Sequence, residues 1–248
     1  MHGNFYILVW KSLTDLCLYT FDALDQIMEL ICNLSIYDLN EEKCPVVKDP
    51  HSPGVIYANL KIGERMARTY VSFDNGKKFD PIRIEGQTST CCNRNSFLEF
   101  DLICSNDLIK SNFPEKSIVI FRQKSRRSIV GTSDNIIYSI NGGNSWKMVK
   151  QPIENLIIFN DNLFMFGTEN WTGKIWYSYD QSKQWHSKRI GAHDVIDIIP
   201  IQFSYNSRYA AIDYYDNTRP CTFYIIDFSN SVGRFFHNDR TLYNFKKR

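Results

Sequence analysis

One eight-residue pattern occurs three times along the chain and limits its fold more than any other feature. It reads Ser72-Phe73-Asp74-Asn75-Gly76-Lys77-Lys78-Phe79, then Ser139-Ile140-Asn141-Gly142-Gly143-Asn144-Ser145-Trp146, then Ser178-Tyr179-Asp180-Gln181-Ser182-Lys183-Gln184-Trp185. In outline it is Ser-x-Asp/Asn-x-Gly/Ser-x-x-aromatic. Each copy lies between two runs rich in β-branched and aromatic residues, so each is expected to be a turn between strands. A turn motif that recurs at the same place in successive units is how a repeat architecture is written in sequence.

The residue types suit a turn. Asp74, Asn141 and Asp180 can accept hydrogen bonds from the turn's own amides, and their short side chains fit that geometry. Gly76 and Gly143 permit a left-handed backbone at no steric cost. Ser182 takes that place in the third copy, where a left-handed residue is mildly strained. Ser72, Ser139 and Ser178 can bond the turn or a neighbouring strand. Phe79, Trp146 and Trp185 open the next strand and can fill apolar space. Acid–base chemistry would need these carboxylates to converge on one place. Their recurrence in one structural slot points instead to holding turns shut.

The strand-like runs sort into groups of four. The first holds 34–39, 54–60, 69–73 and 79–84; the second 97–103, 117–122, 136–140 and 146–150; the third 156–159, 163–166, 174–179 and 185–190. The fourth holds 195–201, 209–215 and 222–228 and lacks a clear outer strand. Residues 6–10 and 16–21 read as the end of an earlier unit. Leu24, Ile27, Met28 and Ile31 are at helical spacing and predict a helical turn over 21–30. Groups of four strands along a chain are the writing of a β-propeller. The expected fold is all-β: a partial β-propeller of about four four-stranded antiparallel blades, roughly 34–84, 97–150, 156–190 and 195–228.

Composition narrows the function classes. With 29 basic and 27 acidic residues in 248, the net charge is +2. That balance gives no reason to expect nucleic acid or a membrane surface as partner. The basic runs 122–127 and 246–248 read as solvated loop and tail. The apolar run Phe5–Trp10 is far too short to span a membrane and makes a poor signal peptide. The seven cysteines are an odd number and contain no CxxC pair, and the histidines are scattered, so no metal or cofactor site is expected. Asn33-Leu34-Ser35 and Asn170-Trp171-Thr172 are glycosylation sequons, which suit a lumenal protein.

The repeated turn is the Asp-box known from sialidases and from sortilin-type Vps10 domains, and further residues resemble the second family. His51-Ser52-Pro53-Gly54-Val55-Ile56-Tyr57-Ala58-Asn59 is similar to the strand leading into a Vps10 Asp-box. Ile137–Lys147 and Ile175–His186 are similar to the boxes that follow, and Phe223–Phe228 to the closing strand. Trp10–Asp15 and Leu18–Thr20 look like the end of a preceding blade. The similarity covers most of the chain, in the family's order.

The resemblance implies the later blades of a ten-bladed lumenal propeller. In that family the propeller binds peptides or protein segments in its tunnel and serves Golgi-to-endosome sorting. The longer relative is membrane-anchored; the chain here is expected to be part of such a protein. Tyr37, Glu99, Asp101 and Asp197 lie on expected innermost strands and are candidates for lining the tunnel. The family has a cysteine pair in this region, but Asn95 stands at its second position, so the family's bridge is not carried over; Cys91 or Cys92 with Cys104 is the alternative pairing. No counterpart of the family's ligand-reading Arg loop is found, so no ligand contact is carried over.

An enzyme is not expected. Sialidases carry a Phe/Tyr-Arg-Ile-Pro motif, and the nearest string is Pro81-Ile82-Arg83-Ile84, in the wrong order. A sialidase-like hydrolase and a purely structural or adhesive propeller are the alternatives. As part of a ring, the chain is also expected to expose apolar residues on its terminal blades, with Trp10, Phe21, Phe223 and Phe228 among them.

Overall fold

Alternating apolar residues in short runs leave these segments one way to satisfy their backbone: pairing with sequence neighbours through tight turns. The computed structural model of the chain shows that arrangement. It describes residues 5–21, 26–35, 43–63, 66–86, 98–104, 112–124, 135–158, 164–169, 172–190, 194–204, 207–216, 219–227 and 243–245, with side chains through residue 190 and at Ile198. The chain divides into two compact units, Met1–Met148 and Val149–Arg248.

In the first unit, β1 (Tyr6–Ser12), β2 (Asp15–Phe21) and β3 (Ile27–Ile31) form an antiparallel sheet in sequence order. A second sheet holds β4 (Val46–Lys48), β5 (Ile56–Gly63), β6 (Met66–Ser72) and β7 (Asp80–Pro81), and a third holds β8 (Val119–Arg122), β9 (Ile136–Ser139) and β10 (Lys147–Met148). The second unit has two sheets. One is β11 (Asn155–Ile158), β12 (Met165–Glu169), β13 (Lys174–Ser178) and β14 (His186–Arg189); the other is β15 (Asp194–Ser204), β16 (Ser207–Asp216), β17 (Arg219–Asp227) and β18 (Tyr243–Phe245). Among the described strands, every paired neighbour is antiparallel. The chain is all-β, and its sheets are built as the blades of a partial β-propeller.

The sheets of the first unit pack face to face in chain order. Leu16 and Leu18 of the first sheet meet Leu34, Ile56 and Ala58 of the second. Val47, Tyr57 and Val71 of the second meet Phe100, Phe121, Ile137 and Trp146 of the third. Aromatic rings fill that second layer: Phe100 stacks on Phe121 at 5.0 Å, and Tyr57 meets Phe121 edge-on at 5.1 Å. Each such ring removes a large apolar area from water, which is the main force holding one sheet to the next. In the second unit Phe164, Phe166, Ile175 and Tyr177 pack with Ile198 of β15.

Four expectations need correction. The segment expected to be helical forms β3, with Phe21 opposite Ile27 and Thr20 opposite Met28. Its apolar spacing suits a helix, but β2 offers an edge that a strand satisfies fully. The innermost strand expected at 34–39 is instead made in two pieces. Leu34 pairs with Leu60, while Val46–Lys48 pair with Ile56–Ala58 on the same edge of β5. The charged run Asn40-Glu41-Glu42-Lys43 interrupts the apolar alternation between them. The last sheet has an outer strand, β18, opposite Phe223–Ile225 of β17; three residues far from the other strands are too short to read locally. Finally, Cys104 bonds Cys44, not Cys91 or Cys92, which lie outside the described residues. A second disulfide joins Cys17 and Cys32.

The first sheet turns an apolar surface outward: Trp10 is 49% exposed, and Leu8, Val9, Ile27 and Met28 are also exposed. Phe21 is half-buried, Phe228 lies outside the described residues, and so does the side chain of Phe223. Among the described residues, no helix is long and apolar enough to cross a membrane.

Candidate functional site

The three Asp-boxes share one set of bonds. Each serine hydroxyl donates to its third-position partner: Ser72 to Asp74 Oδ1 at 2.8 Å, Ser139 to Asn141 Oδ1 at 2.9 Å, and Ser178 to Asp180 Oδ1 at 2.8 Å. The same serine oxygen accepts the fifth-position amide, from Gly76, Gly143 or Ser182, at 2.8, 2.8 and 3.0 Å. The Asp or Asn oxygen accepts the seventh-position amide, from Lys78, Ser145 or Gln184, at 2.9 Å in each case. One serine and one Asx thus satisfy two amides that the turn would otherwise leave open.

Positions four and five are left-handed in every copy. The φ angles are 63° and 88° at Asn75 and Gly76, 67° and 88° at Gly142 and Gly143, and 58° and 67° at Gln181 and Ser182. The fifth-position glycines also meet the preceding sheet. A Cβ on Gly76 would come within 2.7 Å of Leu30 Cδ1, and one on Gly143 would overlap the Tyr57 hydroxyl. The closing aromatics differ in depth: Trp146 is buried at 2% exposure, while Phe79 and Trp185 are half-buried.

The amide bonds favour the charged form of the two acids. Asp74 is held below the usual carboxylate range, chiefly by the Lys78 amide and then by Ser72. For Asp180, burial pushes upward, but the Gln184 amide and the Ser178 hydroxyl outweigh it, and the group lies below its ordinary value.

The inner edges of the second and third sheets make a different kind of site. At the third sheet, Phe100 pairs with Gln123, the Asp101 amide donates to the Arg122 carbonyl at 2.9 Å, and the Lys124 amide donates to the Glu99 carbonyl at 2.8 Å. The other edge of Phe100 is taken by the second sheet. Its amide donates to Thr69 Oγ1 at 2.7 Å, and its carbonyl accepts Asn59 Nδ2 at 2.9 Å. Thr69 Oγ1 in turn donates to Asn59 Oδ1 at 2.6 Å. Asn59 and Thr69 are buried, so these three bonds form a closed polar clasp inside the core. They also cap a strand edge that would otherwise be open to pairing.

Beside the clasp is a small open recess lined by polar Ser35, Lys43, Asn59, Asp101 and Lys124 and by Cys44, with the buried Phe100 and Leu102 beneath it. Two ion pairs border it. Lys43 Nζ lies 2.8 Å from Asp101, and Lys124 Nζ lies 3.2 Å from Glu99, whose side chain is only 6% exposed. Of the residues proposed from sequence to line a tunnel, Asp101 lines this recess and Glu99 is bound to its Lys124. Tyr37 lies outside the described residues. Asp197 stands opposite Asp213 on β15, and its side chain is not among those described. Asn33 is exposed and left-handed (φ 60°), with its amide donating to Asp15 Oδ1 at 2.9 Å; Asn170 lies outside the described residues.

Lys43, Lys124 and Asn59 carried no local signal, because their partners lie far away in sequence. Among the described residues, Asp15, Cys17 and Cys32 are close enough to hold a metal ion, but both sulfurs are used in the disulfide.

No protein-family model matches this sequence. No curated protein matches it either. Among solved structures, the chain is similar to YCF48 from Cyanidioschyzon merolae, at 11% sequence identity and a TM-score of 0.34, over 86% of this chain. It spans 59% of the length of that protein.

Proposed function

We propose that this chain is a non-catalytic binding segment of a sortilin-like lumenal propeller, which captures peptides or extended protein segments for sorting between Golgi and endosome. The observation that carries this reading is the small recess at the adjoining inner edges, bordered by the Lys43–Asp101 and Lys124–Glu99 pairs. A few placed charges are what a ligand site uses for orientation. The resemblance of the Asp-box segments to Vps10 domains supports the same reading. Two disulfides suit an oxidising compartment. The box carboxylates favour a structural over a catalytic role, since Asp74 and Asp180 spend their Oδ1 atoms on turn amides.

The test is capture of a library of labelled extended peptides by the full chain, followed by Lys43→Met and Asp101→Asn. Retained peptides should be released by either substitution and kept by Asn144→Ala, which alters an exposed box residue. Equal retention by all variants would sink the recess as the binding site. Hydrolysis of a fluorogenic sialoside would sink the non-catalytic reading.

A further inference from the structure

The two disulfides have unlike surroundings. In the first sheet Cys17 is fully buried at 0% exposure, and its partner Cys32 is half-buried. In the other bridge Cys104 is exposed, and Cys44 lines the recess. Around the second bridge, the inner edges of two sheets meet. The Cys44 amide donates to the Leu102 carbonyl at 3.0 Å, Lys43 forms a bridge with Ile103, and Lys43 pairs with Asp101. The buried clasp of Asn59, Thr69 and Phe100 holds the same two sheets independently of the sulfurs.

We infer that Cys44–Cys104 is a thiol-exchange site, opened by an external small thiol or dithiol while Cys17–Cys32 stays closed, and that its opening loosens the recess. Exchange needs in-line access to one sulfur and a leaving thiolate that its surroundings tolerate. Cys104, an exposed residue, supplies the access. The departing Cys44 thiolate is left in a recess whose lining also includes the Lys43 and Lys124 ammonium groups, paired there with Asp101 and Glu99, and nearby cations stabilise a thiolate. In the first step the external thiolate attacks Cys104 Sγ. The Cys44–Cys104 bond breaks, a mixed disulfide forms on Cys104, and the electron pair leaves on Cys44. A second external thiolate then attacks the outer sulfur of the mixed disulfide and frees Cys104. Two external thiols are oxidised to one disulfide, and their two protons end on Cys44 and Cys104. The bridge closes a span of 60 residues, so its loss leaves residues 43–44 held to 101–103 only by exchangeable bonds, which loosen, while the clasp keeps the sheets together.

The effect on ligand rests on the peptide-binding reading; the selectivity of exchange does not. In the test, free thiols on the folded full chain are blocked first. A dithiothreitol series without denaturant follows, and new thiols are trapped with a mass-distinct alkylating agent and mapped by mass spectrometry. Cys44 and Cys104 should label at a reductant dose at least tenfold below that for Cys17 and Cys32. At that dose hydrogen exchange should rise several-fold at the Cys44 amide and stay unchanged at Phe100. Captured peptide should then be released, as it should from a Cys44→Ser/Cys104→Ser variant. Labelling of Cys17 and Cys32 at the same or a lower dose overturns the exchange site. Selective labelling with an unchanged Cys44 amide overturns the loosening. If the oxidised chain captures no peptide, the binding reading fails, and the labelling order still decides the exchange. The wild-type dose series decides it equally if the double variant does not fold.

Discussion

The Ser139–Trp146 turn and the inner edge of the third sheet belong to one unit, yet they are held by opposite kinds of contact. In the turn, the side-chain bonds that set its shape close within four residues: Ser139 to Asn141, Gly143 to Ser139, Ser145 to Asn141; one backbone bond, from the Gly142 amide to the Ser117 carbonyl, reaches further. At the inner edge the partners are far apart in sequence, as with Asn59 and Phe100 at a separation of 41 or Cys44 and Cys104 at 60. The turn carries its geometry in its own residues. The inner edge exists only after two sheets have met. The two regions meet in the core, where the Trp146 ring lies 5.2 Å from that of Phe100, and the turn also meets the second sheet, where Gly143 packs beneath the Tyr57 hydroxyl.

That point gives the largest expected effect. Gly143→Ala adds a methyl that overlaps Tyr57 at a residue with φ of 88° and should cost about 3 kcal/mol, the sum of overpacking and left-handed strain. Gly142→Ala has a φ of 67° but no atom within 4 Å of the new methyl, so it should cost only about 1 kcal/mol. Urea melts of both variants check this. Equal costs would mean that the turn is purely local and does not register the preceding sheet.

At the inner edge, Asn59→Ala leaves the Phe100 carbonyl without its buried donor and should cost about 2–3 kcal/mol. Thr69→Val strips the Phe100 amide in the same way and should cost a similar amount. The double variant should lose less than the two together, by about 1 kcal/mol, because the three groups act as one network. Strict additivity in a double-mutant cycle would show that the clasp is not a unit.

Within the turns, the third copy is the exception. Ser182 takes the left-handed place that glycine holds in the other two, at φ 67°. Ser182→Gly should stabilise the chain by about 0.5–1 kcal/mol, read as a raised Tm. A fall in Tm would show that the serine side chain contributes more than its backbone strain removes.

The smallest effect is one of pH. Asp74 and Asp180 lie below their ordinary values in the folded chain, so their contribution is fully present above the unfolded carboxylate value, about 4. It is lost as pH falls through their depressed folded values. The second box uses neutral Asn141 and has nothing to protonate. In a pH titration by NMR, the Lys78 and Gln184 amide signals should move below about pH 4 while that of Ser145 stays. Asn141→Asp should make Ser145 move with the others. A Ser145 amide that titrates in the unaltered chain would break the comparison.

The sequence by itself determined whatever closes over a few residues. The Asp-box pattern told where three turns lie, and the runs of β-branched and aromatic residues told where most of the strands lie and in what order. Even the strain at Ser182 could be read from one residue out of place. The tertiary structure decided everything that depends on two distant segments meeting. It made β3 a strand because β2 presented an edge, although Leu24, Ile27, Met28 and Ile31 are spaced for a helix. It split the inner edge of the second sheet between Leu34 and Val46–Lys48. It gave Cys104 the partner Cys44, and Asp101 and Glu99 the partners Lys43 and Lys124. The physical reason is that hydrogen bonds and packing within a turn are specified by neighbours along the chain. A buried clasp, an ion pair or a disulfide between sheets is specified by which faces the hydrophobic core brings together, and no local window of residues contains both sides.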